Sequence, residues 1–167
     1  MKKVLRILNR FNIGGPTHNA TFLTKHLYPE YQTKLIAGKK LDSEASSEYI
    51  LKDYEIDFEI IEDMSRSINL IKDLKSFLKI KKIIKEFKPD IVHTHASKSG
   101  ALGRLAAITS KVPIIVHTFH GHVFHSYFGN LKTKLFILLE RYLAKKSSAI
   151  IAISNLQRKE LINVFKI

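Results

Sequence analysis

Residues 89–100 read Pro89-Asp90-Ile91-Val92-His93-Thr94-His95-Ala96-Ser97-Lys98-Ser99-Gly100, a proline, a short apolar run and then small, hydroxylated residues. Proline is tolerated at the first residues of a strand and disfavours helix just before it, while serine and glycine suit a helix start. The stretch therefore reads as a strand delivered into a helix. Val112-Pro113 introduces Ile114-Ile115-Val116 in the same way. Ile91-Val92 and Ile114-Ile115-Val116 are apolar at successive positions rather than alternate ones, as in strands covered on both faces by helices.

Working outward, short runs rich in Val and Ile alternate with longer amphipathic segments. Strands are expected near Val4 to Leu8, Thr33 to Ala37, Phe58 to Ile61, Ile91 to His95, Ile114 to Thr118 and Ile150 to Ile153. Helices are expected near Thr17 to Leu27, Glu44 to Lys52, Leu70 to Phe87, Ser99 to Thr109, Leu131 to Lys145 and Asn155 to Phe165. This order predicts an α/β fold, a Rossmann-like doubly wound parallel sheet. Right-handed crossovers then set all the strand C-termini along one rim, where such sheets bind ligands.

The chain of 167 residues, 45% hydrophobic, is enough for one domain with a real core. It has no cysteine, which excludes disulfides and thiolate metal sites, and makes a cytoplasmic location the expectation. The short run Val4 to Leu8, broken at Asn9-Arg10, is too short for a signal-peptide core or a membrane span. A net charge of +13 points to anionic partners without choosing among nucleic acid, an acidic membrane surface and a phosphate-bearing substrate. Its densest part is Lys72 to Lys88. There Leu70, Leu74, Phe77, Ile80, Ile84 and Phe87 recur at near-helical spacing, with Lys72, Lys75, Lys79 and Lys82 on the other face. Such a helix is a solvated surface element or one that lies on anionic lipid.

At the rim, Asn12-Ile13-Gly14-Gly15-Pro16-Thr17 follows the first strand. Paired glycines let backbone approach a ligand, and a helix start offers free N–H groups to a phosphate; a plain tight turn is the alternative. The dinucleotide fingerprint is not met, because the glycine spacing is wrong and Ala37-Gly38-Lys39 ends the second strand without an acid. Six of the eight histidines fall at the ends of the fourth and fifth strands: His93 and His95, then His117, His120, His122 and His125. Neighbouring strands would bring the two groups together. Imidazoles suit sugar hydroxyls and phosphate oxygens, although any one of them can be structural. A metal centre is not expected, since Asp90 is the only acid near these clusters. Lys98 and Ser99 open the next helix, where they can meet an anion, or where Ser97 or Ser99 simply caps it. Ser154 and Asn155 read as a cap for the last helix.

Taken together, Asn12-Ile13-Gly14-Gly15-Pro16, Asp90-Ile91-Val92-His93-Thr94-His95 with Lys98-Ser99-Gly100 and Gly103-Arg104, Val116-His117-Thr118-Phe119-His120-Gly121-His122 and Ile151-Ala152-Ile153-Ser154 resemble the N-terminal domain of family 4 glycosyltransferases, bacterial enzymes of capsule, exopolysaccharide and lipopolysaccharide synthesis among them. Each motif is weak alone; the ordered set, running from Val4 to about Phe165, is specific. The resemblance implies the N-terminal half of a GT-B fold, with residues 1–167 as its acceptor-side domain and a donor-binding C-terminal domain absent from this chain. It implies hexosyl or N-acetylhexosaminyl transfer from a UDP- or GDP-sugar, with retention, no cofactor and no essential metal. The acceptor would be a saccharide or a polyprenyl-diphosphate-linked one. By the same carry-over Gly14 and Gly15 meet the donor diphosphate, and His120 sits beside the transferred sugar as the catalytic histidine. His93, His95, Lys98, Ser99, Arg104 and His122 line the cleft or hold an acceptor. The fragment alone is expected to bind donor weakly without turnover. An anionic membrane surface, on the inner face, is a further expected partner. Two rivals remain: one subunit of a split glycosyltransferase, and a basic α/β domain binding nucleic acid. The latter is disfavoured, since no aromatic interleaving or recognised module accompanies the basic residues.

Overall fold

A computed structural model describes residues 1–65, 67–121 and 130–167. Six parallel strands, β1 (Lys2–Arg10), β2 (Tyr31–Gly38), β3 (Phe58–Ile61), β4 (Ile91–His95), β5 (Ile114–Phe119) and β6 (Ala149–Ala152), form one sheet in the order β3-β2-β1-β4-β5-β6. The chain reverses its direction of travel across the sheet between β1 and β4, the switch point at which open α/β sheets leave a crevice. The helices are α1 (Gly15–His26), α2 (Glu48–Asp53), α3 (Leu70–Phe87), α4 (Ser97–Thr109), α5 (Asn130–Lys145) and α6 (Asn155–Glu160), the last running into a π-helical turn, Leu161–Phe165.

The two faces of the sheet have separate cores. Leu8, Leu35 and Ala37 pack with Ala20 of α1 and Leu51 of α2. Leu5, Ile7, Val92 and Ile115 pack on the other face with Ile80 and Ile84 of α3 and with Ala106 of α4. The doubly wound expectation holds, and so do the bounds of β3, β4 and α3. Elsewhere local chemistry moves the ends. The second helix starts at Glu48 rather than Glu44, because Glu44 turns back to accept from the Leu41 N–H and to pair with Arg10 at 2.6 Å. The fourth starts at Ser97, capped by the backbone of Ala96 with no side-chain hydrogen bond, so neither Ser97 nor Ser99 is its cap. Ser154 does cap α6, accepting from the Gln157 N–H.

Two glycines set how closely α4 lies on the sheet. A Cβ on Gly100 would stand 2.5 Å from His117 Cε1, and one on Gly103 would stand 2.7 Å from Thr94 Cγ2. Helix α3 departs from its expected orientation. Ile80 and Ile84 are buried and Phe77 and Phe87 pack beside them, but Leu70 and Leu74 are 83% and 58% exposed. They join Ile71 (71%) and Leu78 (55%) as an apolar ridge on the outer side of the helix.

Candidate active site

Because the strands are parallel, the turn after β1, the start of α4 after β4 and His120 after β5 share one rim. The first of these is built with care. Gly14, at φ 157° and ψ 168°, takes a conformation that residues bearing a Cβ rarely adopt, and a Cβ on Gly15 would meet nothing within 4 Å. Ser47 Oγ and Thr17 Oγ1 both donate to the Asn12 carbonyl, at 2.8 and 3.1 Å, and the Ser47 N–H donates to the Phe11 carbonyl. The turn is thus held from the segment before α2, a support that no motif in the turn itself announces. Beyond it α1 begins with no side-chain cap and no acid in its first turn. Its first N–H groups and the positive end of its dipole are available to an anion above Gly15.

The histidines divide by strand alternation. His93, His95 and His120 lie on one face, while His117 lies on the other beneath α4, with Nδ1 2.8 Å from Thr94 Oγ1. The expectation that the two groups converge therefore holds for three of them and fails for His117, which is a packing residue. The three that converge form a column. The rings of His93 and His95 are 4.2 Å apart between centroids, those of His95 and His120 are 5.1 Å apart, and His95 Nδ1 is 2.8 Å from His120 Nε2. At the foot of the column His93 Nδ1 accepts from Arg6 Nη1 at 2.7 Å, and His93 Nε2 is 2.8 Å from Thr118 Oγ1. Arg6 was not anticipated; it stands inside an apolar strand run, where sequence patterning sees only a break.

Burial disfavours the charged form of every ring in the column. It pushes His93 down to about 3, with the Arg6 charge adding to the effect. It holds His95 well below the usual imidazole range, again with like charges adding, and lowers the half-buried His120 as well. These are neutral imidazoles at neutral pH, donors and acceptors rather than cations. His120, at the outer end, is the one member of the column that is only partly buried.

Other expected cleft residues prove to be engaged elsewhere. Arg104 is completely buried and bonds both carboxylate oxygens of Glu140, at 2.8 and 2.6 Å, while its Nε donates to the Gly100 carbonyl. It ties α4 to α5 and does not line a cleft. The Lys98 ammonium is held by the Asp73 carboxylate and the Ser67 carbonyl, so its charge is already matched. Ser99 is buried and donates to the His95 carbonyl, steadying the column from behind. His122, like His125, lies outside the described residues. Gln157 is a contributor that sequence reading missed. Its amide donates to the Gly121 carbonyl at 2.7 Å and accepts from the Ile153 N–H at 2.9 Å, joining the segment after His120 to the end of β6. Among the described residues, no group of three or more His, Cys, Asp or Glu side chains is arranged to hold a metal ion. No described helix is long and apolar enough to cross a membrane.

Residues 39–167 match the model of Glycosyltransferase Family 4. Over 92 residues the chain is 44% identical to the Escherichia coli UDP-Gal:alpha-D-GlcNAc-diphosphoundecaprenol alpha-1,3-galactosyltransferase, covering 55% of this chain and 24% of that protein. Over 112 residues it is 32% identical to the Staphylococcus aureus capsular polysaccharide biosynthesis glycosyltransferase CapM, covering 67% of this chain and 29% of the relative. The chain thus spans less than a third of either relative. Among solved structures, the sucrose-phosphate synthase of Thermosynechococcus elongatus superposes with a TM-score of 0.75 at 12% identity, over 99% of this chain and 45% of that one. MurG of Acinetobacter baumannii superposes with a TM-score of 0.65 at 18% identity, over 93% and 42%. At those identities the likeness is one of fold.

Proposed function

Since the chain belongs to glycosyltransferase family 4 and its sheet is the N-terminal Rossmann-like half of a GT-B fold, we propose that it is the acceptor-side domain of a retaining enzyme that moves a sugar from a nucleotide sugar to a lipid-linked saccharide in cell-surface glycan synthesis. The observation that carries the proposal is the meeting on one rim of the uncapped start of α1 at Gly15 and the neutral imidazole of His120. In this reading the backbone N–H groups after Gly14 receive the diphosphate, whose charge grows as the glycosidic bond to it breaks. The dipole of α1 then stabilises the leaving group more than the ground state, which is what accelerates a reaction. His120 bonds a hydroxyl of the transferred sugar and sets its orientation. His93 and His95 stand behind it as support.

A second domain, belonging to the longer protein or to a partner chain, supplies the groups that read the nucleotide and the remaining positive charge on the diphosphate. The lipid-linked diphosphate acceptor is supported by the E. coli relative, whose name specifies diphosphoundecaprenol. Access to such an acceptor calls for contact with the cytoplasmic membrane surface, and α3 offers it. Its exposed ridge of Leu70, Ile71, Leu74 and Leu78 stands beside Lys75 and Lys82 and leads along the helix to Lys81 and Lys85, the arrangement of a helix that lies in an anionic interface.

The test is turnover of a panel of UDP- and GDP-sugars by the full-length protein. His120→Ala should lower kcat by about a hundredfold or more, the usual effect of removing a preorganised polar contact to the reacting centre. Equal turnover by that variant would overturn the assignment of His120. The 167-residue chain alone should bind nucleotide sugar weakly and transfer nothing; transfer by it would show that no second domain is needed.

A further inference from the structure

We infer that Arg6 is a positioning residue for His120: it fixes the tautomer of His93 and, through His93 and His95, keeps the imidazole column free of charge. Arg6 sits in the middle of β1, registered against His93 of β4, and is 1% exposed. Among the described residues no carboxylate pairs with it, and its Nε has no partner. Val4 and Leu8, which share its side of the strand, are apolar and buried at no such cost. An arginine here is expensive for folding, so its worth lies in what it does to its neighbour.

That action follows from hydrogen-bond chemistry. A guanidinium only donates, so His93 Nδ1, 2.7 Å from Arg6 Nη1, must accept. The His93 proton is therefore on Nε2, and it donates to Thr118 Oγ1 at 2.8 Å. No other tautomer satisfies both contacts. The His93 ring packs on His95, whose Nδ1 is hydrogen-bonded to His120 Nε2 at 2.8 Å. A second proton anywhere in the column would place a cation near the buried Arg6 guanidinium, with which no carboxylate among the described residues pairs. Other charged or titratable groups packed around the column do not supply a counter-charge. His117 lies beneath α4, Arg104 is matched by Glu140, and Lys98 is matched by Asp73. His120 is thereby kept as an uncharged partner, hydrogen-bonded to His95.

The consequence for catalysis rests on the transferase reading; the tautomer assignment does not, and nitrogen-15 NMR of the histidine rings separates the two. In the unaltered chain at pH 7, His93 should report hydrogen on Nε2 and none on Nδ1, and none of His93, His95 and His120 should be doubly protonated. Hydrogen on Nδ1 of His93, or a cationic ring in the column, overturns the proposal without recourse to any variant. In Arg6→Met, His93 should become a mixture of tautomers, its proton affinity should rise about tenfold, a shift of one pKa unit, and the His120 ring resonances should move although no contact to His120 has been removed. Arg6→Lys, which keeps the charge and a donor, should restore the original pattern. Unmoved ring resonances in a folded Arg6→Met chain would also overturn the proposal. An active His120→Ala enzyme would sink the catalytic reading and leave these spectra as they are.

Discussion

At Arg104 and Glu140 two opposite charges are buried against each other, and burial alone would neutralise either one. It lifts the Glu140 carboxyl above its usual range and lowers Arg104, and each partner opposes the change in the other. Removing one side leaves the other charge unpaired in the core. Glu140→Gln should therefore destabilise the chain by about 3–5 kcal/mol in urea unfolding, whereas an apolar pair of matching volume at both positions should recover most of that loss. Gly103→Ala should cost about 1–3 kcal/mol by overpacking, because its new methyl would press on Thr94 and Ile7 from α4. Ala96 offers the opposite case. It carries φ 61° and ψ 174° at the start of α4, a region entered almost only by glycine, so Ala96→Gly should raise the unfolding midpoint, by about 1 kcal/mol of stability.

Among the elements, α3 shows what spacing reveals and what it conceals. Its ends were legible: Asn69 accepts from the Lys72 N–H at one end, and Lys88 takes the left-handed conformation at the other. Which side it buries was not. Apolar residues occupy two adjoining stripes, and near-helical spacing joins Leu70 and Leu74 to Ile80 and Ile84 when only the latter pair reaches the core. If the outer stripe meets lipid, replacing Leu70 and Leu74 together by glutamine should weaken binding to anionic vesicles several-fold in co-sedimentation, with little change in stability because both residues are exposed. Binding should also fall with added salt, as the lysine contribution is screened. Equal binding by the double variant would remove α3 as the docking element. The rim was legible for a related reason. Histidines two apart on a strand must share a face, and paired glycines after a strand mark a turn. Arg104 was misplaced because the partner that removes it from the cleft, Glu140, lies on a different helix, and no local pattern reports that distance. Arg6 and Gln157 were missed for the same cause: each acts across the sheet.

For the whole molecule, the depressed histidines make stability depend on pH in a definite sense. His93, His95 and His117 are held neutral in the fold but take up protons near pH 6.5 once unfolded. Their contribution is complete above that pH and is lost as pH falls toward their folded values. Each adds a slope of about 1.4 kcal/mol per pH unit in the interval between. Urea midpoints measured from pH 7 down to pH 4.5 should fall more steeply than a single titrating group allows, and His117→Asn should flatten the curve. A flat profile would mean that these rings are charged in the fold. The sheet order that makes this arrangement possible also decides where the molecule can part. Between β1 and β4, Asp90 accepts from the Lys3 N–H at 2.7 Å and from the Lys2 ammonium at 3.2 Å, while Arg6 grips His93 halfway up. Like a book stitched at the foot and mid-spine, the pair carries its side-chain ties below the rim and none of these three at its upper edge. If a guest binds on the rim that carries Gly15 and His120, it should therefore meet a platform already tied from below, and little of its binding energy should go into ordering the sheet.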